Sequence, residues 1–263
     1  MIQVFTLGMS RQLQSTFEFF GGTYILLKKS ISEGLHRPFY FSLIVEQIYQ
    51  IGVRSLPLIV ITLSAIGMVM TMQFGMGLQK FGGTLYVPRI VSVSIVRELG
   101  PVFTALMIAG RVGAGIASEI GSMAVTQQID AIRALGTSPI KRIVIPRIIG
   151  TCLALPLLTL FANIVGLVGG IIIGKSELNL APSFYFNKIF ETVTLTDFST
   201  GLFKSLVFAL AISLSGCYYG LKVHGGTREV GAATTKTVVM ASILILVSDF
   251  FLTKIFFIWE KWN

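Results

Sequence analysis

Charge is what this sequence has least of. Only 13% of its 263 residues are charged, 53% are hydrophobic, and the mean hydropathy is +0.80. A soluble domain carries about a quarter charged residues to cover its wetted surface. Here there are too few, which excludes an ordinary water-soluble fold. Histidine is limited to His36 and His224 and cysteine to Cys152 and Cys217, none at ligand spacing, so neither a metal site nor a disulfide framework is expected. Walker A and HExxH patterns are absent, and no Ser/His/Asp set can be assembled. The chain is therefore expected to be no enzyme and to need no cofactor of its own. A basic start, short apolar run and small-residue cleavage site are also missing, so insertion is expected to rely on the chain's own apolar segments.

What the sequence does have is long uncharged runs. Residues 55–79 and 148–174 each exceed the roughly 20 residues that cross a ~30 Å hydrocarbon core. The pattern predicts an all-α integral membrane protein with about five transmembrane helices. They are expected over 46–79 with a kink at Pro57, over 89–115, 148–174 and 198–221, and from the end of a glycine-rich loop at 222–236 to near Trp259. Residues 184–190 suggest a short surface helix. Residues 1–45 form a region apart from the transmembrane domain at 46–263. In it Leu13, Phe17, Phe20, Tyr24, Leu27 and Ile31 recur at spacings of four and three, one stripe of an amphipathic helix. Such a helix, with Arg11, Lys28, Lys29 and Arg37 nearby, either lies in the membrane interface or packs its stripe on the other helices.

The formal net charge of +9 does not point to nucleic acid, because the basic residues are scattered between apolar runs. They follow the positive-inside rule instead. Segments 118–147 and 222–236 fall on the side of the N-terminal helix and are read as cytoplasmic, leaving Trp259 and Trp262 as an anchor at the opposite interface. An odd number of spans with no visible repeat argues against an inverted-repeat secondary transporter.

Three charges lie where charge is expensive. A carboxylate at membrane depth is penalised by about 2.5 kcal/mol or more, so Glu98 must face protein or a wet cavity. It either borders a translocation path or gate, or forms a buried pair with a cation such as Lys204. Arg97 adjoins it but points elsewhere around the helix. Lys204, taken alone, is expected to snorkel to the headgroups; Asp249 is too short to do so. Two ladders of small residues recur at every fourth position: Ala109, Gly113, Ala117 and Gly121, then Ala162, Gly166, Gly170 and Gly174. They suit close helix packing within the chain or a dimer seam. Finally, Val125, Ile129, Ile132 and Leu135 mark an amphipathic helix over about 118–136 that also holds Glu119, Gln128, Asp130 and Arg133 and ends at Gly136 and Pro139. It is either a solvated loop helix or the receiver of force from a soluble partner.

These residues also carry a family likeness. The runs Arg97-Glu98-Leu99-Gly100-Pro101-Val102, Ala109-Gly110-Arg111-Val112-Gly113 and Glu119-Ile120-Gly121-Ser122-Met123 closely resemble the MlaE (YrbE-type) permeases of ABC transporters associated with MCE proteins. So do Leu155-Pro156-Leu157-Leu158-Thr159, Lys204-Ser205-Leu206-Val207-Phe208 and Ala233-Thr234-Thr235-Lys236-Thr237-Val238-Val239, and the likeness spans about residues 47–254. The resemblance implies a homodimeric permease carrying two cytoplasmic ATPase subunits that use the ATP. It also implies an MCE-domain partner across the membrane, room for a STAS-type accessory subunit, and a phospholipid or related lipid as cargo. Glu98, Arg97, Lys204 and Asp249 would then lie in the translocation region, and the 118–136 helix would dock on the ATPase. The implied location is a bacterial inner membrane, or a plastid inner envelope where relatives also occur. The alternative from a different class is a proton-coupled secondary transporter using Glu98 and Asp249 as relay carboxylates.

Overall fold

A computed structural model describes the backbone of residues 2–36 and 40–262 and the side chains of 14–36 and 40–259, with no strand among them. The side chains of Arg11, Leu13, Arg37 and Trp262 lie outside the described residues. Five stretches are long and apolar enough to cross a membrane: Phe41–Gln79, Thr84–Val125, Ile140–Ser176, Leu195–Leu221 and Thr227–Trp259. This is a multi-pass membrane protein. Ahead of the spans runs α1 (Ile2–Gly34).

The first span is α2 (Phe41–Ile51), a 3₁₀ turn (Val53–Ser55) and α3 (Leu56–Gln79). Its break precedes Pro57 instead of falling on it. Proline lacks an N–H and has a fixed φ, so it fits the first turn of α3, where no donor is needed. The second span, α4 (Val87–Ser94), α5 (Gly100–Ile108) and α6 (Ala114–Val125), is joined by π turns at Ile95–Leu99 and Ala109–Gly113. Pro101 cannot donate to the Arg97 carbonyl, and the Gly100 N–H reaches back five residues to Ile95, which widens the turn.

The predicted 118–136 helix is two pieces. Residues 118–125 finish the second span as part of α6. Gln127 then takes a left-handed conformation (φ 57°), and only α7 (Gln128–Ala134) stands apart. The third span is a π turn (Ile140–Val144) and α8 (Ile145–Ser176); α9 (Pro182–Thr192) is the expected short helix. The fourth span is α10 (Leu195–Leu221). The expected 222–236 loop shrinks to residues 222–226, because α11 (Thr227–Trp262) begins at Thr227 and takes in Arg228 and Lys236.

Helix α10 is the centre of the bundle, packed by α5, α6, α8 and α11. Its buried Ser213 and Ser215 hydroxyls donate to the Ala209 and Ala211 carbonyls at 2.8 and 2.7 Å, so neither hydroxyl is stranded. Helix α11 is its opposite, with Val239, Ile243, Leu246, Phe250 and Phe251 all exposed. Both small-residue ladders pack inside the chain. Gly113 faces Ile212 and Thr237, Gly121 faces Val223 and Val230, and Ala109 and Ala117 are buried. On α8, Gly166 meets Leu63 and Ile95, while Gly170 and Gly174 make room for Tyr185 of α9.

Tyr185 is buried and shares a 3.2 Å hydrogen bond with Thr71 of α3, tying α9 to the ends of α3 and α8. Burial pushes its hydroxyl above the ordinary tyrosine range, which the Thr71 bond partly offsets. Tyr185→Phe leaves the buried Thr71 hydroxyl without this partner and is expected to cost about 1–2 kcal/mol. A thermal unfolding midpoint in mild detergent equal to that of the parent would show that the bond contributes nothing.

Helix α1 is held by a line other than its stripe. Phe17, Phe20, Tyr24 and Ile31 face outward, while Phe19, Leu26 and Ser30 are buried. The Phe19 ring sits edge-on to Tyr218 at 5.2 Å and stacks on Tyr219 at 5.3 Å. The Tyr218 hydroxyl donates to the Glu18 carbonyl at 2.9 Å, and Lys222 pairs with the Glu18 carboxylate at 3.1 Å. Contacts within the chain therefore leave Phe17, Phe20, Tyr24 and Ile31 of the stripe uncovered.

Candidate functional site

The π turn after α4 aims two neighbouring charges at two different partners. Glu98 is ion-paired with the Lys204 ammonium of α10, which also lies 2.9 Å from the Asp249 carboxylate of α11 and donates to Thr253 Oγ1 at 2.7 Å. Thr253 Oγ1 lies 3.3 Å from Glu98 Oε2 and donates to the Asp249 carbonyl at 2.8 Å. The Lys204–Asp249 contact is an ion pair without hydrogen-bond alignment, since that carboxylate oxygen has no hydrogen-bond partner. Arg97 pairs instead with Asp197 at 3.2 Å, its guanidinium 4.6 Å from the centre of the Phe257 ring.

The elements dictate this arrangement. Asp197 and Lys204 are seven residues apart on α10, two turns along one face, and Asp249, Thr253 and Phe257 repeat every four residues on α11. Three helices thus bring one charged side each to a common seam. Lys204 corrects the expectation of snorkelling: its side chain is 1% exposed. It lies nine residues inside α10, ~13 Å from its start, where two carboxylates are nearer than any headgroup. Glu98 is 32% and Asp249 22% exposed, so the cluster opens on one side. Two carboxylates on one ammonium leave a net negative charge at this opening.

Asp197 and Thr253 were not singled out from the sequence. Asp197 had a signal, because Thr194-Leu195-Thr196-Asp197 is a capping box in which the Thr194 hydroxyl accepts from the Asp197 N–H at 3.2 Å. Thr253 had only its i+4 spacing from Asp249.

At the α7 end, the residues expected to dock a partner separate. Glu119, on α6, pairs with Arg147 of α8 at 2.8 Å. Asp130 and Arg133 pair at 2.9 Å on exposed α7, and Gln128 opens that helix, exposed. Asp130 and Arg133 line a cleft of about 680 Å³ between α7, α1 and the 222–226 turn, with Lys29, Lys222 and His224.

Comparison with known proteins places this arrangement. Residues 44–255 match the family described as Permease MlaE. A probable ABC transporter permease protein of Rickettsia conorii is 41% identical over 87% of this chain and 88% of its own length. One of Synechocystis is 41% identical over 81% of each chain. The chloroplastic protein TRIGALACTOSYLDIACYLGLYCEROL 1 of Arabidopsis thaliana is 33% identical over 81% of this chain and 61% of its own. A family match that runs from α2 to within a few residues of the end of α11, over all five spans, leaves one assignment: the chain belongs to the MlaE permease family.

Proposed function

We propose that this chain is the membrane-spanning permease subunit of an ABC transporter that moves phospholipid or a related lipid, with ATP hydrolysed on a separate cytoplasmic subunit. The observation that carries the reading is the Glu98–Lys204–Asp249 cluster, a partly open ionic site that three apolar spans bring together. Lipid as cargo is supported by the family and by the Arabidopsis relative, whose name carries that of a lipid. In this reading Glu98, Lys204 and Asp249 border the lipid path, and Arg97 fixes the π turn through Asp197. The exposed stripe of α1 lies in the cytoplasmic interface, where its apolar side chains reach acyl chains. Helix α7 and its cleft receive the ATPase. The bare apolar face of α11 meets a second copy, and an MCE-domain protein, with or without a STAS-type subunit at the ATPase side, completes the assembly.

The test is reconstitution with the ATPase. Removing residues 128–134 is expected to leave the protein inserted but abolish ATPase-driven lipid transfer between vesicles. If transfer and ATPase stimulation persist without α7, the coupling role is wrong. Transfer that needs no ATPase and stops when a pH gradient is collapsed would establish the proton-coupled reading instead.

A further inference from the structure

A second polar site lies in the same span as Glu98, thirteen residues or about 20 Å further toward the α7 end. Arg111 stands in the π turn Ala109–Gly113 and donates one guanidinium N–H to the hydroxyl of buried Ser55. A guanidinium has five donors in a fixed fork. Among the described residues Arg111 has no carboxylate partner, and neither has Arg54, whose one ring contact is Tyr49 at 5.9 Å. Both line a cavity of about 160 Å³ with Gln47, Gln50 and Glu119.

The acids nearby are already engaged. Glu119 is held by Arg147 at 2.8 Å, and Glu46 accepts from the Gln50 amide at 3.1 Å. The cavity therefore presents two guanidinium groups without a carboxylate partner of their own, beside the Gln47 amide, where the start of the first span meets the second. Its volume equals roughly five waters, room for one tetrahedral oxyanion. The group that best fills a guanidinium fork is a phosphate, taken in two parallel charge-assisted hydrogen bonds.

We infer that Arg54 and Arg111 form a binding site for the phosphate of a lipid headgroup drawn from the leaflet on the α7 side. The inference rests on the lipid reading above but assigns a place the Glu98 cluster does not occupy. A lipid held here keeps its acyl chains against the exposed flank of α3, where Val60 and Ile61 face outward.

The test reads retained lipid, not transport. The full chain, with whatever subunits it purifies with, is exchanged into nanodiscs containing phosphatidylglycerol or diacylglycerol, then returned to mild detergent and examined by native mass spectrometry. The parent is expected to retain phosphatidylglycerol and release diacylglycerol. Arg111→Gln and Arg54→Gln should each lower the retained fraction about tenfold, while Lys175→Gln, at an exposed cation near the far end of α8, leaves this lipid in place. Arg54 is exposed with no core partner, so its variant reports even if Arg111→Gln fails to fold. Equal retention of diacylglycerol, or undiminished retention in Arg54→Gln, would overturn the site. Displacement of the lipid by millimolar inorganic phosphate would assign the cavity to the free anion and overturn the lipid source. Retention in the parent is read without added ATP, so it stands or falls separately from the transport reading.

Discussion

Lys204→Met is expected to abolish lipid transfer and to destabilise the folded chain by about 3–5 kcal/mol, the usual effect of removing one partner from a buried ion pair. The direction follows from the geometry. One ammonium, 1% exposed, stands between the carboxylates of Glu98 and Asp249. Methionine keeps the length and apolar stem of lysine, so little packing is lost. Two carboxylates are then left without their shared cation, Glu98 with only the Thr253 hydroxyl at 3.3 Å and Asp249 Oδ1 with no hydrogen-bond partner. A second set of variants separates charge from shape. Adding Glu98→Gln and Asp249→Asn to Lys204→Met removes the repulsion and should restore most of the thermal stability in detergent, because neutral replacements of a whole buried cluster are often tolerated. Transfer should stay lost in the triple variant if the charges serve the lipid path. A Lys204→Met protein as stable and as active as the parent would remove the cluster from both roles.

The sequence made much of this legible, and its failures have physical causes. The spans could be read because the bilayer sets one length and one polarity. The intramembrane charges were conspicuous for the opposite reason, since their cost makes each one stand out. What periodicity does not carry is which helices meet. Lys204 reads as a snorkelling residue on its own helix and becomes a buried ion only when Glu98 and Asp249 arrive from two other helices. The break at Gln127 was missed because the apolar spacing from Val125 to Leu135 runs unbroken through one residue of left-handed backbone. Asp197 was missed because a capping residue carries a local job that hides a distant one, here the pairing with Arg97. Which side of α1 the bundle uses is not in its own periodicity, because it depends on Phe19 reaching Tyr218 and Tyr219, two hundred residues away in sequence.

The crossing of α3 and α8 gives the other large effect. At Gly67 an added Cβ would lie 1.9 Å from the Gly166 carbonyl oxygen, and at Gly169 one would lie 2.5 Å from that of Ser64. Both obstacles are backbone, so no side chain can swing aside. Without a hydrophobic force between helices in lipid, such close backbone approach is what holds the pair together. Gly67→Val must push the helices from 1.9 Å toward the 3.4 Å of an ordinary contact, which also strains the Thr71–Tyr185 bond one turn further along. Overpacking commonly costs 1–3 kcal/mol, and rigid backbone on both sides puts this case at about 3 kcal/mol or above. Gly77 of the same helix is the control. Nothing lies within 4 Å of its added Cβ, so Gly77→Ala should be neutral or stabilising by about 0.5–1 kcal/mol through helix propensity alone. Thermal unfolding in detergent distinguishes the two. If Gly67→Val melts with the parent while Gly77→Ala also leaves the midpoint unmoved, α3 and α8 do not cross at Gly67. The placement of Glu98 would then need revision too, because Ile95, at the start of its π turn, packs on Gly166 at that same crossing.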